Sequence, residues 1–367
     1  MQQILHGIEH LREALRDSRK ALLVCGRSFA SLSIRQEIEA GAPCPLVRFD
    51  DFRPNPLYED VCRGVELFRS EGCDAILAVG GGSALDVAKS IKLYCQMPKD
   101  RLYLEQEYKD TGVRLVAVPT TAGRGSESTR FAVIYYDGKK QSVTHESIIP
   151  DVAILEPKVL KTLPIYQKKC TLLDALCQGI ESWLSVNSTD ESRALSRFAV
   201  EAIMRWWREY LFDNTDEASA RIMAAANRAG QAICITQTTA PHAFSYQLTS
   251  LYGLPHGHAV AICLPEIWQY MLDHPEKCID ARGWDYVDAV FAEIAASMSC
   301  VSATDAIKEF RAMLMRMEMV THPATSNWEE DLSLLSSSVN PIRLKNNPIE
   351  LDALSIVGLY LRILKRQ

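Results

Sequence analysis

The chain has 367 residues, 47% of them hydrophobic and 23% charged, with a formal net charge of −6. That length and balance describe an ordinary globular protein of about two domains, and the acidic excess argues against a general nucleic-acid binder. No apolar run reaches the roughly 18 residues of a membrane helix, and the N-terminal MQQILHGIEHLREAL has the acids and spacing of an amphipathic helix rather than a signal peptide.

In chain order, residues 4–18 read as a first helix. Residues 20–25, KALLVC, are a short apolar strand, and Gly26-Arg27-Ser28 turns the chain into a helix reaching about residue 39. Residues 45–49 are a second strand, 50–56 a polar turn and 57–69 a helix. A third strand, 75–79, runs directly into Gly80-Gly81-Gly82-Ser83 and a helix over 84–93; a fourth, 115–118, ends at Pro119. Strands alternating with helices indicate a parallel sheet with helices on both faces. From about residue 163 the strand-like runs stop. Helical patterns follow at 168–186, 190–211, 216–234, 238–251, 259–273, 284–298, 303–316 and 350–365, and the polar, Pro-punctuated 321–348 carries short helical pieces at most. The expected fold is an α/β N-terminal domain over 1–163 and an all-α C-terminal domain over 164–367, with a cleft between domains as a common place for a ligand.

The 11 cysteines include no CxxC pair. Cys25, Cys73, Cys170, Cys177, Cys234 and Cys263 stand in apolar surroundings and read as small core residues of a reducing, cytoplasmic compartment.

Two loops leave strands with glycines in them. In AILAVGGGSALDVAKS, residues 75–90, glycines permit close backbone approach to a phosphate, and the helix start offers free N–H groups and a positive dipole end. The run is neither GxGxxG nor a Walker loop, and a plain tight turn fits it too. Asp86 and Lys89 in the following helix read more readily as surface or capping groups than as ligands. The second loop, 119–127, PTTAGRGSE, has glycines and hydroxyls that suit a cofactor or an ordinary loop.

Two stretches of the helical half carry metal-type donors. Residues 241–260, PHAFSYQLTSLYGLPHGHAV, hold three of the eight histidines, His242, His256 and His258, in a helix–turn–helix pattern. Imidazoles on a helix and on the turn after it can converge on one ion, though polar turn residues give the same pattern. Residues 171–184, TLLDALCQGIESWL, place Asp174 on a largely apolar helix with Gln178 one turn later, on the same face. A buried carboxylate needs a partner; a metal is one, a cap or a salt bridge another.

Together these runs resemble the iron-containing, or group III, alcohol dehydrogenases along nearly the whole chain. GGGSALDVAK is similar to the family's GGGSxxDxAK, PTTAGRGSE to PTTAGTGSE, DALCQGIE to DALTHAIE, and HAFSYQLTSLYGLPHG to HxxxHxxxxxxxxxPHG. The resemblance implies a Rossmann-like N-terminal domain and a helical metal-binding C-terminal domain, a fold shared with dehydroquinate synthase. It implies NADP or NAD and one divalent iron or zinc. The ligand positions fall on Asp174, Gln178, His242 and His256, with Gln178 where the family usually has His. Cofactor contacts fall on Gly26, Arg27, Ser28, Gly81, Gly82, Ser83, Asp86, Thr120, Thr121, Ser126 and Lys140. Tyr246 stands where a proton-relaying His is frequent, and Arg124 where Thr is usual.

The implied chemistry is hydride transfer between nicotinamide C4 and a carbonyl carbon, with the metal as Lewis acid. His258, Tyr246 or water reached through the cofactor ribose would move the proton, His258 being slightly preferred. Within the family, the DALCQ and PHGHAVAI runs are most similar to phosphonoacetaldehyde reductases, which form 2-hydroxyethylphosphonate, and Arg124 is the expected cation for the phosphonate tail. The alternatives are another small aldehyde, ketone or glycerol-type polyol, a cyclase similar to dehydroquinate synthase that uses NAD transiently, and an inactive nucleotide-binding relative. The strand over 21–25 ends in Gly26-Arg27-Ser28, where NAD-preferring members carry an Asp. With no carboxylate to repel a 2′-phosphate, NADPH is expected to be preferred or well tolerated; Asp50 and Asp51 are expected to lie away from the adenosine ribose. The expected assembly is a cytoplasmic homodimer with small-molecule substrates and neither nucleic acid nor membrane as partner.

Overall fold

The computed structural model describes residues 2–324, 327–339 and 341–365. The chain forms two compact units, Met1–Pro164 with Asn214–Gly230, and Ile165–Asp213 with Gln231–Gln367.

The first unit holds the strands β1 (Gln3–His6), β2 (Ala21–Cys25), β3 (Leu46–Phe49), β4 (Ala75–Gly80), β5 (Arg114–Pro119), β6 (Phe131–Tyr136), β7 (Lys139–Thr144) and β8 (Val152–Leu155). Six of them make one parallel sheet in the order β1-β8-β5-β4-β2-β3, and β6 pairs with β7 in a separate hairpin. Every residue of β2 and β4 is buried, which is why these strands read as unbroken apolar runs: a parallel sheet is covered on both faces. Helices α1 (Leu11–Ala14), α2 (Arg35–Gly41), α3 (Tyr58–Ser70) and α4 (Gly82–Tyr94) connect them. Leu22, Val24, Ile76, Leu85, Ile91 and Leu115 meet in one core, each such side chain contributing about 1.5–3 kcal/mol of burial.

The register fixes where the loops emerge. Cys25 pairs with Val79 and Gly80 with Pro119. The chain therefore leaves β2, β4 and β5 side by side, at Gly26, Gly81 and Thr120. Carboxyl edges of adjacent parallel strands are where open α/β sheets bind ligands.

Three sequence expectations for this unit change. Residues 4–18 are not one helix: residues 3–6 form the edge strand β1, paired with β8 from Gln3↔Val152 to His6↔Leu155, and only a short 3-10 turn and α1 follow. Ile4, Ile8, Leu11 and Leu15 have helical spacing, but strand pairing wins. The β6–β7 hairpin, turned at Asp137-Gly138 with φ of 48° and 68°, was not anticipated, although Asp-Gly is the turn that such geometry favours. Strand β8 is a further addition.

The second unit is helical: α5 (Ile165–Leu184), α6 (Asp190–Arg208), part of α7 (Asp216–Thr236), α8 (Ala240–Tyr252), α9 (His256–Asp273), α10 (Trp284–Ser297), α11 (Ala303–Arg316), α12 (Trp328–Ser338), α13 (Pro341–Leu344) and α14 (Ala353–Lys365). Helix α5 is its axis, buried at every position from residue 170 to 184 and packed by α6, α9 and α10. Trp183 and Trp268 are fully enclosed. Within the polar stretch read as carrying short helical pieces at most, α12 spans 11 residues and packs on α8 and α14.

Most of α7 belongs with the first unit. Asn227 donates to Glu127 Oε1 at 3.0 Å and Ser128 Oγ at 2.8 Å, and Gly230 lies against Gly125, where a Cβ would come within 2.6 Å of backbone. None of the described helices is long and apolar enough to cross a membrane.

Candidate metal centre and dinucleotide loops

Helix α5 supplies the floor of the metal centre. Asp174, Gln178 and Glu181 lie four and three residues apart, along one helix face, and all are buried. Helix α8 adds His242, and α9 begins with His256. Their approach depends on Gly257: a Cβ there would stand 2.0 Å from the Cys170 carbonyl oxygen and 2.7 Å from Asp174 Cβ. Only glycine lets the first turn of α9 lie directly on α5.

Donor atoms of Asp174, His242 and His256 lie within 4.8 Å of one another. His242 Nε2 is 3.4 Å from Asp174 Oδ1. Gln178 donates from Nε2 to Asp174 Oδ1 at 3.2 Å, and its Oε1 is buried with no hydrogen-bond partner. A buried unpaired amide oxygen costs about 1–3 kcal/mol, and a metal ion beside it removes that cost. Carboxylate, amide oxygen and two imidazoles suit a borderline divalent ion such as iron or zinc; the residues fit the group.

The residue that sequence reasoning missed is Glu181. Its Oε1 sits 2.5 Å from His242 Nδ1, and its Oε2 accepts from Thr239 N at 2.8 Å and Thr239 Oγ1 at 3.1 Å. A carboxylate on the far imidazole nitrogen fixes the tautomer and leaves Nε2 for a metal. Burial opposes a charge on His242, but Glu181 and Asp174 outweigh it and raise the ring to about 9.

The two proton-relay candidates differ. His258 is engaged at both ring nitrogens, Nδ1 by the Tyr166 hydroxyl at 2.8 Å and Nε2 by the Val320 carbonyl at 2.7 Å, and burial lowers its pKa. Tyr246 lies parallel to the His256 ring, with centroids 5.8 Å apart and an interplanar angle of 1°.

In the first unit, Gly81, Gly82, Ser83, Thr120 and Thr121 are partly exposed at the ends of β4 and β5. A Cβ on Gly81 would meet the Thr121 side chain at 3.5 Å, so the two loops touch. Gly26 is half-buried beside them, and Arg27 and Ser28 are exposed. Asp86 and Lys89 are not surface groups. Lys89 is fully buried and donates to Ser126 Oγ, Thr129 O and Oγ1, and Phe131 O; Ser126 in turn donates to Asp86 Oδ1 at 3.1 Å. They brace one loop against the other. Arg124 lies over Gly82, where a Cβ would come within 3.0 Å of its Nη1, and 3.7 Å from Asp86. Lys140 is on β7 opposite Tyr135, in the hairpin. Asp50 follows β3, the neighbour of β2, and pairs with Arg48 at 2.8 Å. Burial raises the Cys25 thiol to about 11, with Arg48 opposing and Asp50 adding to the rise, so this ion pair lies beside the end of β2, nearer Gly26 than the sequence reading placed Asp50. Asp51 is held by Arg63 at 2.6 Å.

Residues 3–157 match the family model described as iron-containing alcohol dehydrogenase, and residues 169–364 match that of the Fe-containing alcohol dehydrogenase family, C-terminal. The chain belongs to the iron-containing alcohol dehydrogenase family. As a member it is an NAD(P)-linked oxidoreductase. A phosphonoacetaldehyde reductase of Streptomyces viridochromogenes is 33% identical over 306 residues, covering 78% of this chain and 75% of that protein. The 1,3-propanediol dehydrogenase of Citrobacter freundii is 31% identical over 281 residues, 71% and 70% of the two chains. Among solved structures, the sulfoacetaldehyde reductase of Bifidobacterium kashiwanohense, in complex with NAD+, superposes with a TM-score of 0.89 at 23% identity over 100% of this chain and 98% of that one.

Proposed function

We propose that this dehydrogenase reduces a short aldehyde carrying a phosphonate group, phosphonoacetaldehyde to 2-hydroxyethylphosphonate, with NADPH or NADH as hydride donor. The observation that supports the chemistry is the convergence of Asp174, His242 and His256, with Gln178, whose Oε1 is buried and unpaired, hydrogen-bonded to Asp174. The substrate reading is supported by the 33% identity to a phosphonoacetaldehyde reductase over most of both chains.

Asp174, Gln178, His242 and His256 would hold the iron or zinc, which would supply Lewis acidity towards the carbonyl oxygen. Glu181 keeps His242 in the tautomer that offers Nε2. The backbone N–H groups of Gly81, Gly82 and Ser83 at the start of α4 would hold the cofactor pyrophosphate, where the helix dipole favours an anion. Arg124, over Gly82, adds a cation to that loop. A bound reduced nicotinamide would supply one hydride to the carbonyl carbon, and the carbonyl oxygen would take one proton. Because both ring nitrogens of His258 are engaged, the proton comes from Tyr246 or water, and His258 holds Tyr166 and the 320 backbone in place. NADPH is tolerated because Gly26 presents no carboxylate and Arg48 neutralises Asp50.

The test is oxidation of NADPH and NADH with a panel of small aldehydes. Stoichiometric oxidation with phosphonoacetaldehyde at the highest kcat/KM is the expected result. A faster reaction with neutral aldehydes or polyols would refute the substrate, and absence of net cofactor oxidation would point to a cyclase.

A further inference from the structure

Arg343 lies on the short helix α13, which packs against α8. Its guanidinium carbon is 5.3 Å from the centroid of the Tyr246 ring, and that ring is parallel to His256 at 5.8 Å. These two distances bound the separation of the guanidinium from the His256 imidazole at about 11 Å. Arg343 is half-buried, and among the described residues no carboxylate lies within ion-pair distance of it. Arg193, Arg197, Arg282, Arg311 and Arg316 of this unit each pair with an acidic side chain, and Arg205, Arg208 and Arg362, which have no such ion pair among the described residues, are exposed. A partly desolvated cation favours an anionic partner.

We propose that Arg343 recognises the substrate, taking the tetrahedral oxyanion at the far end of a short aldehyde, with Tyr246 as the flat surface between it and the His242–His256 pair. This rests on the reading of the substrate as an anionic aldehyde. Arginine presents parallel N–H donors that match two oxygens of a phosphonate or sulfonate. Tyrosine at position 246 holds the guanidinium by a cation–π contact, which neither adds a competing charge nor consumes the in-plane donors. Arg124, the cation expected from sequence, is instead seated on the phosphate loop.

The experiment compares wild type, Arg343→Ala and Arg343→Lys in the metal-loaded enzyme, with phosphonoacetaldehyde, sulfoacetaldehyde and propanal as substrates. Calorimetric binding of 2-hydroxyethylphosphonate is the second readout. The alanine variant should raise KM for the anionic aldehydes, and weaken product binding, by roughly 10- to 100-fold, the loss expected of a charge-assisted hydrogen bond. Lysine should recover part of it, and kcat/KM for propanal should stay within about threefold. A wild-type preference for the sulfonate supports Arg343 and corrects the tail. An alanine variant that keeps the preference for anionic aldehydes and binds 2-hydroxyethylphosphonate as wild type does, or that loses propanal activity equally, overturns the assignment alone. A wild type that reduces propanal as well as either anionic aldehyde overturns the underlying substrate reading and this assignment with it.

Discussion

Replacing Glu181 by glutamine tests the organisation of the metal centre without emptying space. The two side chains have nearly the same shape, and Glu181 is 1% exposed. In the protein, its Oε1 accepts from His242 Nδ1 and its Oε2 from the Thr239 amide and hydroxyl. A glutamine has one oxygen, so its NH2 must face either the His242 N–H or the Thr239 N–H, and one buried hydrogen bond is lost in either orientation. Loss of such an orienting partner costs about 10- to 100-fold in metal affinity. The charge has a second effect. With His242 raised from 6.5 to about 9 in the metal-free fold, its protonation stabilises that fold by an amount present in full below pH 6.5 and lost as pH rises through about 9. At about 1.4 kcal/mol per pH unit the amount is on the order of 3 kcal/mol. Chelator competition should therefore show weaker metal binding by Glu181→Gln, and urea titrations of metal-free protein should show a flatter dependence of stability on pH between 6.5 and 9 than in wild type. An unchanged metal affinity together with an unchanged pH profile would show that Glu181 does not orient His242.

Gln178→His replaces a neutral amide with the stronger imidazole donor and should slow metal loss to a chelator; faster loss would mean that residue 178 does not face the ion. Gly257→Ala drives a Cβ to 2.0 Å from the Cys170 carbonyl and should cost at least about 2–3 kcal/mol in urea unfolding, with metal retention falling in parallel; a stability equal to wild type would show that α9 can sit elsewhere. Gly26→Asp should shift the ratio of kcat/KM towards NADH, and Arg48→Ala should act in the same direction by leaving Asp50 without its counter-charge; no shift in either variant would place the ribose away from the end of β2.

Much of this was legible in the sequence because the physics is local. Strands β2, β4 and β5 are apolar runs of strand length followed by glycine or proline, and helix α5 shows its buried face through Leu172, Leu173, Leu176 and Ile180. Where local pattern and tertiary pairing disagree, the sequence misleads: Ile4, Ile8, Leu11 and Leu15 have helix spacing, yet the chain enters as a strand because β8 offers an open edge. Glu181 carried an unused signal, since it continues the face of Asp174 and Gln178 by one more turn. The burial of Lys89 was not readable, because its four acceptor atoms come from residues 126–131, far along the chain. The Arg343–Tyr246–His256 stack likewise joins three separate helices.

One ion at Asp174, Gln178, His242 and His256 is what the chemistry requires, and the direct measurement is metal content set against activity. Active protein should carry one divalent ion per chain, lose it and its activity together on chelation, and regain both with iron or zinc, whereas His256→Ala should retain neither. Full activity in chelator-treated, metal-free protein would contradict the account.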